Sequence, residues 1–305
     1  MAQSHIVRKS RESEKKIMIW NYGNVYRMIR KSKGISQNNI CNGNLERSTL
    51  SKFESKNRVP SFDTMQYLLE QVNVSFNEFE YICNEYNNSE RQSILLDFYS
   101  LVSNAQRSKI DMLIKRCERY LKNNNDYKIN EINHILHIFI ELNELNKLNF
   151  SDISMKLATI VWDRISLIDT WTYDDIRTIN FIFYFLPLET IKSIVPKMLR
   201  SLEKYNKLKE ISILRLSILT NFSTIFLENA MYTECKNILD YAHSFAENAK
   251  RYDYLGIIMV RKSICEQKSE EVTKWLEFLS MASEEEVVTE LKKEISRHLV
   301  RGSSK

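Results

Sequence analysis

RKSKGISQNNICNGNLERSTLSKFESKNRVPSFDTMQYLLEQVNVS, residues 30–75, is a run of short helical patterns separated by turn signals. A helical stretch from Asn24 leads into it. There Val25, Met28 and Ile29 give one apolar face, while Arg27, Arg30, Lys31 and Lys33 cover the other and load the last turn, where cations suit the helix dipole. Gly34 falls just past that helix, as a terminating glycine should. Ser36 caps a second helix, Gln37 to Asn42, and Asn42-Gly43-Asn44 is a turn signal. A third helix starts at Arg47, with Leu50 and Phe53 inward and Arg47, Ser48, Thr49, Ser51 and Lys52 outward. Asn57 to Ser61 reads as a loop, Phe62 to Val72 as a fourth helix, and Ser75 to Glu85 as a fifth, with Glu78 at the capping-box position.

Two short helices joined by a tight turn, the second with small polar and basic residues outward, are what a helix-turn-helix requires. Bulky apolar side chains would block entry into the major groove, whereas Ser, Thr, Arg and Lys reach base edges and phosphates. The segment resembles the XRE/Cro-type helix-turn-helix family. The matching residues are Gly34-Ile35-Ser36-Gln37, Ile40-Cys41, the run Ser48 to Glu54, and Pro60. The spacing from Ile40 to Glu54 is one residue shorter than usual there, and Lys56 replaces a common glycine. That shortened turn, with Leu45 closing it, and the run SFNEFEYICNEY at Ser75 to Tyr86 are similar to the Rgg/GadR/MutR regulators of Gram-positive bacteria. The resemblance implies DNA-binding roles: Gln37 on a phosphate, Arg47, Ser48, Thr49, Ser51 and Lys52 toward the groove, and Asn57 and Arg58 on the backbone beyond. It makes Glu54 a structural partner of Arg30. For each hydroxyl residue a cap or a solvated face is the alternative.

Charge agrees with that polarity. Residues 1–60 carry 13 Lys+Arg against 4 Asp+Glu, and residues 61–305 carry 31 against 35. A basic end on a slightly acidic body suits a polyanion, although a solvated basic tail would look the same. Residues 1–22 read as a charged leader expected to be disordered, residues 23–86 as the DNA-binding domain, and residues 90–300 as a second domain. Five Gly and three Pro in 305 residues are too few for the turns of a sandwich or barrel, and the glycines form no phosphate loop. The expected fold class is therefore all-α. The five cysteines, with no C-x-x-C pair, read as reduced thiols of a cytoplasmic protein. No stretch reaches about 18 uninterrupted apolar residues, the longest candidate being Ile179 to Leu188, so no membrane association is expected.

After an Asn-rich joint at Asn84–Asn88, helical patterns follow at 90–104, 106–123, 128–147, 151–167, 173–186, 189–205, 208–228, 231–249, 253–268, 271–282 and 284–299. Short connections make neighbours antiparallel, and pairs repeating at about 35–45 residues fit a helical solenoid. Tyr232, Ala242, Phe245, Ala246 and Tyr252 loosely resemble a tetratricopeptide pair, so the fold expected is a TPR-like repeat. Such a solenoid offers a face for an extended peptide. The Rgg resemblance extends to Trp171 with Asp174 and Asp175, and implies sensing of short apolar signalling peptides. Arg177, Asn180, Tyr184, Arg215, Asn221 and Arg261 are the candidate peptide-binding residues, since polar groups amid apolar helices can hold a backbone or a terminal carboxylate. Leu276, Leu279, Val287, Leu291 and Ile295 make either a dimer seam or core.

Nothing in the sequence argues for catalysis. His134 and His137 have no acidic partner at metal-ligand spacing, so no metal or cofactor is expected. The acids at Asp174-Asp175 and Glu284 to Glu286 begin helices, where they suit the dipole. The expectation is a quorum-sensing type of regulator: a homodimer on an inverted-repeat promoter site, with a bound peptide shifting DNA affinity or the recruitment of RNA polymerase. The rivals are a protein-binding adaptor that uses the helix-turn-helix as a dock, and a peptide-independent dimeric repressor.

Overall fold

The structure, a computed structural model, describes residues 21–56, 58–101, 107–144, 152–208 and 210–299. All regular structure among them is helical, and the chain divides into two compact units, one ending at Asp97 and one beginning at Phe98.

The first unit holds α1 Tyr22–Ser32, α2 Gln37–Cys41, α3 Arg47–Lys56, α4 Phe62–Gln71 and α5 Phe76–Cys83. Local signals set most of the ends. Ser36, Ser61 and Ser75 cap α2, α4 and α5 through their side chains, and Gly34 and Gly43 adopt φ of 69° and 80° after α1 and α2. Helix α1 begins two residues earlier than the apolar pattern suggested, because the Asn21 side chain accepts the N–H of Asn24. Its inward face also differs: Met28 is 54% exposed, and the buried positions are Gly23, Tyr26, Ile29 and Arg30. Tyr26 lies at the centre of the core, with its hydroxyl donating to the carbonyl of Leu68 at 3.0 Å. Around it pack Ile40, Leu50, Phe53, Leu68, Leu69 and Phe79.

Helix α6, Glu90–Tyr99, spans the boundary. The second unit continues with α7 Arg107–Leu121, α8 Tyr127–Glu144, α9 Asp152–Ser166, α10 Tyr173–Ile182, α11 Leu188–Lys204, α12 Ile211–Glu228, α13 Tyr232–Asn248, α14 Tyr252–Cys265, α15 Ser269–Met281 and α16 Glu285–His298. Sequential helices pack in pairs, and α10–α12, α12–α14 and α14–α16 also touch, so alternate helices share one face of the repeat. The pattern expected through 186 is cut at Ile182, where a single 3-10 turn, Phe183–Phe185, leads to Pro187. Thr172 and Asp175 form a full capping box on α10, so the acidic pair is a helix start. Helix α12, more apolar over its 18 residues than the stretch at Ile179, has the length and mean hydropathy of a membrane span, but ten of its residues are buried inside this unit. Leu279 and Leu291, offered as a dimer seam or as core, are buried within the chain and belong to the core.

Candidate nucleic-acid interface and ligand face

Helix α3 is divided cleanly. Leu50, Phe53 and Glu54 are almost fully buried, and Arg47, Ser48, Thr49, Ser51 and Lys52 are all exposed. The buried carboxylate holds the arrangement together. Arg30 donates to both oxygens of Glu54, at 2.6 and 2.7 Å, and through its third nitrogen to the carbonyl of Ile35 at 2.6 Å. This forked pairing raises the guanidinium above its ordinary value. Gln37, the first residue of α2, donates to Glu54 at 2.9 Å, and its carbonyl oxygen lies 3.5 Å from Nε of Arg47. The side chain expected on a phosphate therefore bridges the ion pair to the exposed helix.

The Ser48 hydroxyl donates to Glu46, and Arg58 is exposed beyond the helix. Asn57 lies outside the described residues. The exposed ridge has the small, polar and cationic side chains that groove entry needs, and α1 adds exposed Arg27 and Lys31.

In the second unit, three of the six candidate ligand residues form one network. Tyr184 donates to Asn221 at 3.1 Å, Asn221 donates to Asn180 at 2.9 Å, and Asn180 donates to Ser217 at 3.2 Å. Ser217 also hydrogen-bonds Tyr254 of α14, whose hydroxyl burial pushes up. These groups run across α10, α12 and α14 and are only partly buried, apart from Tyr184, which is 39% exposed.

Arg177 stacks over the Tyr99 ring at 3.1 Å and faces Tyr173 at 5.4 Å. It has no carboxylate within salt-bridge distance among the described residues. Arg261, further along the face, is buried and paired with Glu294 at 2.6 Å, and it donates to Ser223 and to the carbonyl of Thr220, each at 2.9 Å. Beside it, Ile257, Val287 and Glu290 help line a cavity of about 300 Å³. Arg215 does not join this face. It is buried on the other side of α12, donating to the carbonyl of Leu202 at 2.7 Å and lying over the Phe245 ring at 4.2 Å.

One end of the face rests on a charged cluster. Lys128 reaches Asp174 at 2.6 Å and Thr178 at 2.5 Å, and the hydroxyl of Tyr99 donates to Asp174. Burial alone would raise the Asp174 carboxyl, but Lys128, Tyr99 and Arg177 together hold it below the ordinary carboxylate value. Arg164 bridges Glu131 and Asp175, tying α8, α9 and α10. Among the described residues no group of His, Cys, Asp and Glu has the arrangement to hold a metal ion. Sequence reading missed Ser217, Tyr254, Tyr99 and Lys128. The i, i+4 pair Ser217–Asn221 on an otherwise apolar helix was the signal available for Ser217.

A helix-turn-helix unit followed by a tetratricopeptide-like helical repeat is thus the class of fold. Solved structures share it over nearly their whole lengths. A candidate transcriptional regulator of Listeria monocytogenes EGD-e superposes with a TM-score of 0.71 at 19% identity, covering 92% of this chain and 99% of that one. The SHP pheromone receptor Rgg2 of Streptococcus dysgalactiae gives 0.65 at 16% identity, covering 90% and 99%. Bacillus thuringiensis PlcR, solved with the peptide PapR7 and DNA, gives 0.58 at 12% identity, covering 88% and 99%. No protein-family model matches the chain, and no curated protein matches it in sequence. At these identities the likeness establishes the fold.

Proposed function

We propose that this chain is a cytoplasmic DNA-binding transcriptional regulator of the Rgg type, without enzymatic activity, switched by a short signalling peptide. The first unit is the DNA-binding domain, and the second binds the peptide and dimerises. The observation that carries the reading is the pairing, in one chain, of the exposed Arg47-to-Lys52 ridge with the partly buried Tyr184–Asn221–Asn180–Ser217 network. Amide side chains present a donor and an acceptor together, which suits the N–H and C=O of an extended peptide backbone. Arg177 is the group on this face available for a peptide carboxylate, since Arg261 already has Glu294 and Arg215 points elsewhere. The partners of the structural neighbours, a pheromone for one and peptide plus DNA for another, support the same pairing. A dimer follows because one recognition helix reads too few base pairs to find a site in a genome.

The test is footprinting of the purified chain on the DNA upstream of its own gene, with synthetic apolar octapeptides encoded by neighbouring small reading frames. One octapeptide should raise the melting temperature and change the footprint, and Asn221→Ala should abolish both effects of the peptide while leaving the peptide-free footprint. Indifference to DNA at low salt would overturn the regulator reading. Co-purification of a large protein partner with no peptide response would favour an adaptor.

A further inference from the structure

Among the described residues, the buried arginines are Arg30, Arg215 and Arg261. A guanidinium taken out of water normally brings an anion with it, because a buried charge without a partner is costly. Arg30 has Glu54 and Arg261 has Glu294, each gripped through two nitrogens. Arg215, at 4% exposed the most deeply buried of the three, has no carboxylate within salt-bridge distance among the described residues.

Its hydrogen bonding is equally incomplete. Among the described residues the guanidinium donates only to the carbonyl of Leu202, at 2.7 Å, and its Nε has no partner. That carbonyl does not depend on the arginine, since it also accepts the N–H of Tyr205 at 3.2 Å, where α11 ends. The Phe245 ring covers one face of the guanidinium at 4.2 Å and leaves its remaining N–H groups unpaired.

The same arginine lines a cavity of about 460 Å³ bounded by the end of α11, the start of α12 and the end of α13. That volume is in the range of small-molecule sites. Ile211, Phe245 and Ala249 give the cavity an apolar wall. Lys207 and Glu203, both exposed, stand on its rim with opposite charges, and Glu203 takes the hydroxyl of Tyr241. The rim charges cancel, so the charge left to be balanced is the one on Arg215.

We propose that this cavity is a second ligand site, for a small organic monocarboxylate with an apolar body. A planar carboxylate matches the fork of the guanidinium and supplies the counter-ion that Arg30 and Arg261 already have. The apolar body lies against Ile211 and Phe245. One negative charge balances the site, whereas a phosphate dianion exceeds it and offers the apolar wall nothing. Arg215 and Asn221 sit on opposite sides of α12, so the acid and the peptide proposed above have separate sites on one helix.

The test is calorimetric titration of the full-length protein with hydrocinnamate, with its uncharged amide and with inorganic phosphate. Hydrocinnamate should bind at one site per chain, and the amide and phosphate at least tenfold more weakly. Arg215→Met should weaken hydrocinnamate at least tenfold without lowering the melting temperature of the unliganded protein, because an apolar residue of similar length replaces an unbalanced charge. Should that variant not fold, Ser212→Phe decides the matter: it narrows the cavity from an exposed position and should block the acid with melting unchanged. Lys207→Met, on the rim, should weaken binding only about threefold. Asn221→Ala should bind the acid as wild type does, whatever becomes of the peptide response. The proposal is overturned if the amide binds as tightly as the acid, if Arg215→Met or Ser212→Phe keeps full affinity, or if Asn221→Ala loses the acid.

Discussion

Glu54 has almost no exposed surface, yet it determines how an exposed helix is held. Its two oxygens take the forked guanidinium of Arg30 and the amide of Gln37, and Gln37 meets Arg47. A buried charge that loses its partner is far costlier than one never buried. Glu54→Ala, which leaves Arg30 buried with no carboxylate, should therefore lower the stability of the first unit by about 3–5 kcal/mol. Hydrogen exchange over residues 22–83 of the full chain measures this, and Glu54→Gln should fall between the variant and wild type because it keeps the shape and one acceptor. Arg47 has the opposite character, being exposed and held only by a long contact. Arg47→Ala should leave melting unchanged but cost about 1–3 kcal/mol on a specific operator and much less on random DNA. Equal losses on both DNAs, measured by competition binding, would mean that Arg47 contacts phosphate and reads no base.

At the scale of the helices, the two non-turn glycines of the described chain mark the tightest approaches. A Cβ on Gly23 would sit 1.9 Å from the backbone oxygen of Phe53, so α1 and α3 would have to separate. A Cβ on Gly256 would meet the Leu279 side chain at 2.4 Å, an obstacle that can rotate away. Gly256→Ala should accordingly cost about 1–3 kcal/mol as ordinary overpacking, and Gly23→Ala should cost more and loosen the ridge, both read from urea unfolding.

A glycine in mid-helix is itself a sign of close packing, and that sign at Gly256 was legible but unread. The ends of helices were legible for a related reason: caps such as Ser36, Ser75 and Thr172 act on backbone a few residues away. The facing of a helix depends on distant neighbours instead. Met28 and Tyr26 are both apolar enough to face inward, and only the carbonyl of Leu68 singles out Tyr26. Helix α12 is buried nearly all round, so periodicity could not separate Asn221 on one side from Arg215 on the other. The charged cluster around Asp174 gathers residues from three separated helices, and no spacing in the sequence encodes such a meeting.

On the scale of the whole molecule, positive charge is concentrated in the part of the sequence that contains the ridge: 13 cationic against 4 acidic residues in the first 60, and 31 against 35 in the rest. A polyanion would therefore be drawn to one end of the sequence, and the mildly acidic remainder would add no attraction to random DNA. The consequence is quantitative, because each neutralised phosphate releases counterions and adds about −0.9 to the slope of log affinity against log salt. Lys52 and Arg58 of each of two protomers would neutralise about four phosphates, giving a slope of about −3.6 and a loss of about 150-fold between 50 and 200 mM salt. Lys52→Ala removes one such contact per protomer and should flatten the slope by about 2 in a dimer. Filter binding or fluorescence anisotropy across that salt range checks both numbers. A variant slope flatter by only about 1 would mean that a single protomer sits on each site, and the inverted-repeat geometry would then have to be abandoned.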